Sequence, residues 1–114
     1  MISVLMVAGG NPEMSATAVR TLKEKASYDY QIVFVDNGSA KEEELSEHIK
    51  PLLNQWDIFI RNEVFRSFAR ANNQAASVAD GTHFLCLNND TVAEGDWQTP
   101  LLVAADKYDL CGPT

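Results

Sequence analysis

Short apolar runs recur along the chain about every 25 residues, and the stretches between them carry a helical rather than a strand period. The runs are Ile2 to Ala8, Tyr30 to Val35, Trp56 to Ile60, Thr82 to Leu87 and, more weakly, Tyr108 to Cys111. Most are rich in β-branched or aromatic side chains and apolar almost throughout, not alternating. Strands covered on both faces have that character, because a parallel sheet is sandwiched between layers of helix.

The intervals predict three helices. Asn11-Pro12-Glu13 supplies an N-cap, a proline at the first helical position and an acid in the first turn. Met14, Val19, Leu22 and Ala26 then fall on one face. Ser39-Ala40-Lys41-Glu42 reads as a capping box, with Leu45, Ile49, Leu52 and Leu53 continuing an inner face. A third helix is predicted from Phe65 to Ala79, burying Phe68, Ala71, Ala75 and Val78 and ending at Asp80-Gly81. Such β-α alternation implies right-handed crossovers and an α/β fold: an open, mainly parallel Rossmann-like sheet of about five strands with helices on both faces.

Composition narrows the function. At 114 residues the chain suits one domain with one core. Nine Lys and Arg stand against 16 Asp and Glu, which argues against a general nucleic-acid surface. No apolar run approaches the roughly 20 residues that span a bilayer, and the opening segment has no basic leader, so neither an anchor nor a signal peptide is expected. Cys86 and Cys111 lie in strand-like runs and are expected to act as small hydrophobes, which fits a reducing, cytoplasmic setting. His48 and His83 have no partner at metal-site or catalytic spacing.

In open α/β sheets ligands bind beyond the carboxyl ends of the strands. The first strand delivers Ala8-Gly9-Gly10-Asn11 there, the second Asp36-Asn37-Gly38-Ser39 and the fourth Asn88-Asn89-Asp90-Thr91. Small residues permit close backbone approach. Asp36 is an acceptor for a base N–H or a ribose hydroxyl. Asp90, beside two amides, suits a hard cation held against a diphosphate. A dinucleotide-binding oxidoreductase would need G-x-G-x-x-G after the first strand, and Gly9-Gly10-Asn11-Pro12-Glu13-Met14 does not supply it. A phosphoacceptor receiver would need acids where Ala8-Gly9 and Arg61-Asn62 stand.

Three blocks, Val33 to Ser39, Phe68 to Ala75 and Phe84 to Thr91, resemble glycosyltransferase family 2, of the GT-A fold, in order and spacing. The resemblance implies that Asp36 bonds the nucleotide base, that the loop at Ala8 and Gly9 packs around it, and that Asn37 belongs to the same nucleotide-binding stretch. It places Asn73 and Arg70 on a helix facing the nucleotide, with Arg66 or Arg70 offsetting diphosphate charge. Asn88-Asn89-Asp90 matches the family's Asp-x-Asp motif. Asp90 would meet Mn²⁺ or Mg²⁺, and Asn88 or Asn89 the ribose or donor sugar. Ser67 stands where a glycine is common, and Ala8-Gly9-Gly10 replaces the usual proline and aromatic residue.

The family's general base lies in a second half, and Glu94, Asp96, Asp106 and Asp109, the only acids after Asp90, do not match it. Residues 1–114 therefore read as a single truncated domain. It would bind a nucleoside-diphosphate sugar and a divalent metal for inverting transfer to a hydroxyl. The alternative is a non-catalytic nucleotide-sugar-binding or interaction module lacking the acceptor half. Uncovered sheet edges or faces predict a homo-oligomer.

Overall fold

Four of the predicted runs become strands of one parallel sheet in the computed structural model, which describes residues 1–89 and 92–100. They are β1 (Ile2–Ala8), β2 (Tyr30–Asn37), β3 (Ile58–Asn62) and β4 (His83–Asn88), in the order β3-β2-β1-β4. Between them run α1 (Pro12–Lys25), α2 (Glu42–Ile49), a 3₁₀ turn at Lys50–Leu52, and α3 (Phe68–Val78). The fifth predicted run, at Tyr108 to Cys111, lies outside the described residues, as do Asp90, Thr91, Asp106 and Asp109.

The two faces of the sheet are covered differently. On one, Val4, Met6, Ile32, Phe34 and Leu85 pack against Val19 and Leu22 of α1 and Leu45 and Ile49 of α2. There the rings of Phe34 and Phe59 stack with centroids 5.7 Å apart. On the other, Leu5, Val33 and Val35 meet only Ala71 and Ala75 among buried helix residues. Small side chains let α3 lie close to β1 and β2, but it does not extend over β4. Phe84 and Cys86 share a face with Ser3 and Leu5 through the β1–β4 register, and both are exposed. Cys86 is thus not the buried hydrophobe expected. Partial desolvation still raises its thiol pKa above the ordinary value, the opposite of an activated nucleophile.

Other expectations shift for local reasons. Helix α3 begins at Phe68 instead of Phe65, because Asn37 holds the backbone of Arg66 and Ser67 Oγ then accepts from the Arg70 N–H at 3.3 Å. Phe68 and Val78, assigned to its buried face, are exposed, as is Met14 of α1. Asn11 occupies the N-cap of α1 ahead of the expected proline, but in a left-handed conformation and without a side-chain cap. Trp56 stands outside β3 because Asp57 turns the chain. Its carboxylate accepts from the Asn54 and Ile32 N–H groups and pairs with Lys23 at 2.9 Å.

Beyond β4 the chain returns along α1. Ala93 N–H donates to Thr21 Oγ1 and Trp97 Nε1 to the Leu22 carbonyl. Asp96 accepts from the Gln98 and Thr99 N–H groups, and hydrogen bonds from Thr99 hold its carboxyl below the usual range. Gln98 is fully buried, its Oε1 accepting from Ser27 and Tyr28 N–H and its Nε2 donating to the Tyr28 carbonyl at 2.9 Å. One amide thereby fixes the α1–β2 turn. Gln98→Ala strands these backbone groups and is expected to lower unfolding stability by about 2–3 kcal/mol, read from urea denaturation.

Candidate functional site

Register brings three strand ends to one line. Ala8 pairs with Asp36, and Val7 with both Val35 and Asn88. The strand order also reverses here, since β1, β2 and β3 progress in one direction whereas β4 crosses to the other side of β1. That switch point between β1 and β4 is where the carboxyl edge of an open α/β sheet leaves a crevice. On the β1 side stand Gly9 and Gly10, around which a Cβ would meet nothing within 4 Å. On the β4 side, Asn89 reaches across: its Nδ2 donates to the Gly10 carbonyl at 3.3 Å and to Ser15 Oγ at 3.0 Å. The Gly-Gly loop and the start of the Asn-Asn-Asp stretch are therefore joined, with Asn88 exposed beside them.

Asp36 sits at this edge but does not open onto it. Its side chain is fully buried. Oδ1 accepts from the Ser39 N–H at 3.0 Å, and Oδ2 from Ser39 Oγ at 2.8 Å and from Arg61 Nη1 at 2.7 Å. The guanidinium also donates to Ser39 Oγ at 2.7 Å and to the Ser39 carbonyl at 3.1 Å. Arg61 is opposite Asp36 in the β2–β3 register, which is why it can do this. The arrangement corrects one expectation, the capping box. The carboxylate is satisfied internally, and Ser39 serves Asp36 and Arg61 instead of capping α2, whose N-cap is Lys41 with no side-chain bond.

Asn37 is turned to the opposite face and is likewise buried. Its Nδ2 donates to the Arg66 carbonyl at 2.9 Å, and its Oδ1 accepts from the Arg66 N–H at 3.1 Å and Asn62 Nδ2 at 3.2 Å. Asn62 continues the chain of amides to Gln74 of α3 through two reciprocal bonds of 2.9 Å. Between Asp36 and Ser39, Gly38 takes φ +77°, and a Cβ there would lie 2.7 Å from the Phe65 nitrogen. Only glycine permits this close approach without displacing the backbone.

The remaining sequence-predicted residues divide. Ala8 is buried and Gly9 exposed. Arg70 and Asn73 are exposed on α3, one turn apart, with Arg66 exposed just before the helix. Asp90 lies outside the described residues, among which no group of three or more His, Cys, Asp and Glu is placed to hold a metal ion. Arg61 and Gln74 escaped sequence reading. Arg61 carried a signal, as a lone cation closing an apolar strand, but only register reveals its partner.

The sequence pattern of the family described as Glycosyl transferase family 2 matches residues 3–113. Among solved structures, the S. aureus protein TarS has a similar fold, with a TM-score of 0.68 at 18% sequence identity. The similarity covers 91% of this chain and 19% of that one, so the chain spans about a fifth of TarS. Among curated proteins, none matches the chain. The four-stranded parallel sheet with its helices is the Rossmann-like architecture of the GT-A fold.

Removing Arg61 leaves a buried carboxylate uncompensated. Arg61→Met is expected to destabilise the protein by about 3–5 kcal/mol in chemical denaturation. Adding Asp36→Asn to it should restore a substantial part, a coupling that a double-mutant cycle measures. Gly38→Ala should cost about 2 kcal/mol in the same assay, whereas Gly9→Ala, with open space around it, should be close to neutral.

Proposed function

The chain belongs to glycosyl transferase family 2, and from that premise we propose that it is the nucleotide-sugar-binding half of a glycosyltransferase. The observation that carries the reading is the Asn89 bond to the Gly10 carbonyl across the β1–β4 switch point, which joins the two loops a donor diphosphate would span. Ala8 and Gly9 give the base a close backbone approach. Asp36, buried against Ser39 and Arg61, meets a base N–H by exchanging its bond from Arg61, and Asn37 fixes the loop that carries it. Asn73 approaches the nucleotide from α3, and Arg70 on the same exposed face offsets diphosphate charge.

The donor set Asn88, Asn89 and Asp90 offers oxygen ligands only, with a single carboxylate. That composition fits Mg²⁺ or Mn²⁺, which complete their shells with phosphate oxygens and water. When bound there, a divalent ion supplies electrostatic stabilisation to the departing nucleoside diphosphate. In the reaction an acceptor hydroxyl attacks the anomeric carbon, the bond from that carbon to the diphosphate oxygen breaks, and configuration inverts. The hydroxyl proton needs a base. Among the described acids after β4, Asp96 is engaged at the N-H groups of Gln98 and Thr99, and Glu94 lies on the segment running back along α1. We infer that these residues hold the donor and that the acceptor's base is supplied elsewhere.

No helix among the described residues is long and apolar enough to cross a membrane; the cytoplasmic setting we propose rests on the free cysteine instead. A second reading, an interaction module that self-associates, has its own support. Val64 (76%), Phe65 (72%), Phe68 (57%) and Phe84 (50%) are exposed. Light scattering at high protein concentration should show a dimer or larger species, and a monomer refutes that reading.

Titration calorimetry with UDP and GDP in Mn²⁺ tests the donor site. At least one nucleotide should bind, and Asp90→Ala should weaken it at least about tenfold, the equivalent of losing one charged metal contact. No binding by the wild type, or unchanged binding after the substitution, overturns the assignment.

A further inference from the structure

At the opposite edge of the sheet, where the strands begin, a cavity of about 340 Å³ is lined by Met1, Tyr28, Asp29, Trp56 and Asp80, with Gln31 and Tyr30 at its base. Its walls come from separate connections: Tyr28 and Asp29 precede β2, Trp56 precedes β3 and Asp80 precedes β4. The volume is in the range of small-molecule sites. Nothing in the donor-site reading uses this edge.

Two fully buried glutamines hold the walls in place. Gln98 fixes the backbone of Ser27, Tyr28 and Asp29. Gln31 Nε2 donates to the Trp56 carbonyl at 2.9 Å and to Asp80 Oδ2 at 3.1 Å, while its Oε1 accepts from the Asp80 N–H at 2.9 Å and from Ser3 Oγ at 2.9 Å. All of Gln31's hydrogen-bonding capacity is thus spent on the cavity's framework. Against this rigid frame the aromatic side chains remain open: Trp56 is 53% exposed and Tyr28 57%. Preorganised walls with exposed aromatic rings lower the ordering cost of binding.

The charge at the cavity selects the ligand. Asp29 and Asp80 contribute two carboxylates, and no Lys or Arg side chain lines it. The chain as a whole carries a formal charge of −7, which repels anions and concentrates cations. A metal ion would ask for clustered ligands, and no such group exists among the described residues. Aromatic faces beside carboxylates suit an organic cation, attracted by ring quadrupole and by charge together. We propose that this cavity is a binding site for a small organic ammonium ion, seated among Tyr28, Trp56, Asp29 and Asp80.

Choline and its uncharged isostere 3,3-dimethyl-1-butanol separate charge from shape. Tryptophan fluorescence of the whole chain, with titration calorimetry, should show saturable choline binding. The isostere should bind at least about threefold more weakly, the lower end of a cation–π contribution. Trp56→Ala should weaken choline binding about fivefold or more, since the bond from Gln31 uses the Trp56 backbone and survives the substitution. Asp29→Asn, an exposed position, should weaken binding several-fold without disturbing the circular-dichroism melt. No saturable response to choline, equal affinity for the uncharged isostere, or unaltered binding in both variants overturns the proposal.

Discussion

A strand buried on both faces must satisfy every polar side chain it carries from inside the protein, because water cannot reach them. β2 is such a strand: from Gln31 to Asn37 no residue is even partly exposed. Its middle, Ile32 to Val35, is apolar and simply packs. Its ends are polar, and each polar end becomes a junction. Gln31 at the amino end gathers β1, the turn before β3 and the turn before β4. Asp36 and Asn37 at the carboxyl end gather Ser39, Arg61, Asn62 and Arg66. The architecture of both edges of the molecule follows from how one strand hides its polar termini.

The two carboxyl-end junctions differ in kind. Asp36 and Arg61 form an ion pair across neighbouring strands, with the Asp36 side chain fully buried and the Arg61 side chain 18% exposed. Such a pair gains little net stability over an apolar substitute of similar shape, yet breaking it by removing one partner is costly. Its effect is to set position: the short path from Asp36 to Ser39 is locked, and α2 leaves the sheet in one direction. The Asn37–Asn62–Gln74 amides are neutral and serve instead to tie α3 and the preceding loop to the strand ends. Helix α3 presents only small residues to the sheet, so this polar tether compensates for a thin apolar contact.

The fold was legible because its signal is repetitive. Four runs became four parallel strands, and Pro12 opened α1 as its residue type requires. Errors fell where one residue had two competing partners. Ser39 fits a capping box by spacing, but the register of β2 and β3 brings Arg61 opposite Asp36, and the charged pair takes the hydroxyl. Trp56 fits an apolar run, but Asp57 has three partners that demand a turn. Phe68 fits a helical stripe, but α3 turns only Ala71 and Ala75 fully inward, leaving that position outside. At the candidate site, the strand ends were identifiable by residue type. The direction of Asp36 was not, since it depends on a partner 25 positions away.

The contrast between glycines shows where this edge is open and where it is closed. Gly38 is hemmed in, its missing side chain filled by the backbone of Phe65, so its role is to let two loops touch. Gly9 and Gly10 have no such neighbour, although Asn89 holds the Gly10 carbonyl from below. Glycines that pack against nothing in a loop pinned at its base leave backbone accessible at a fixed position, a surface that a flat ring or a phosphate can approach closely. The buried junction under β2 and the open loop over β1 are complementary. The first removes conformational freedom from the edge, and the second leaves the space that such rigidity makes usable.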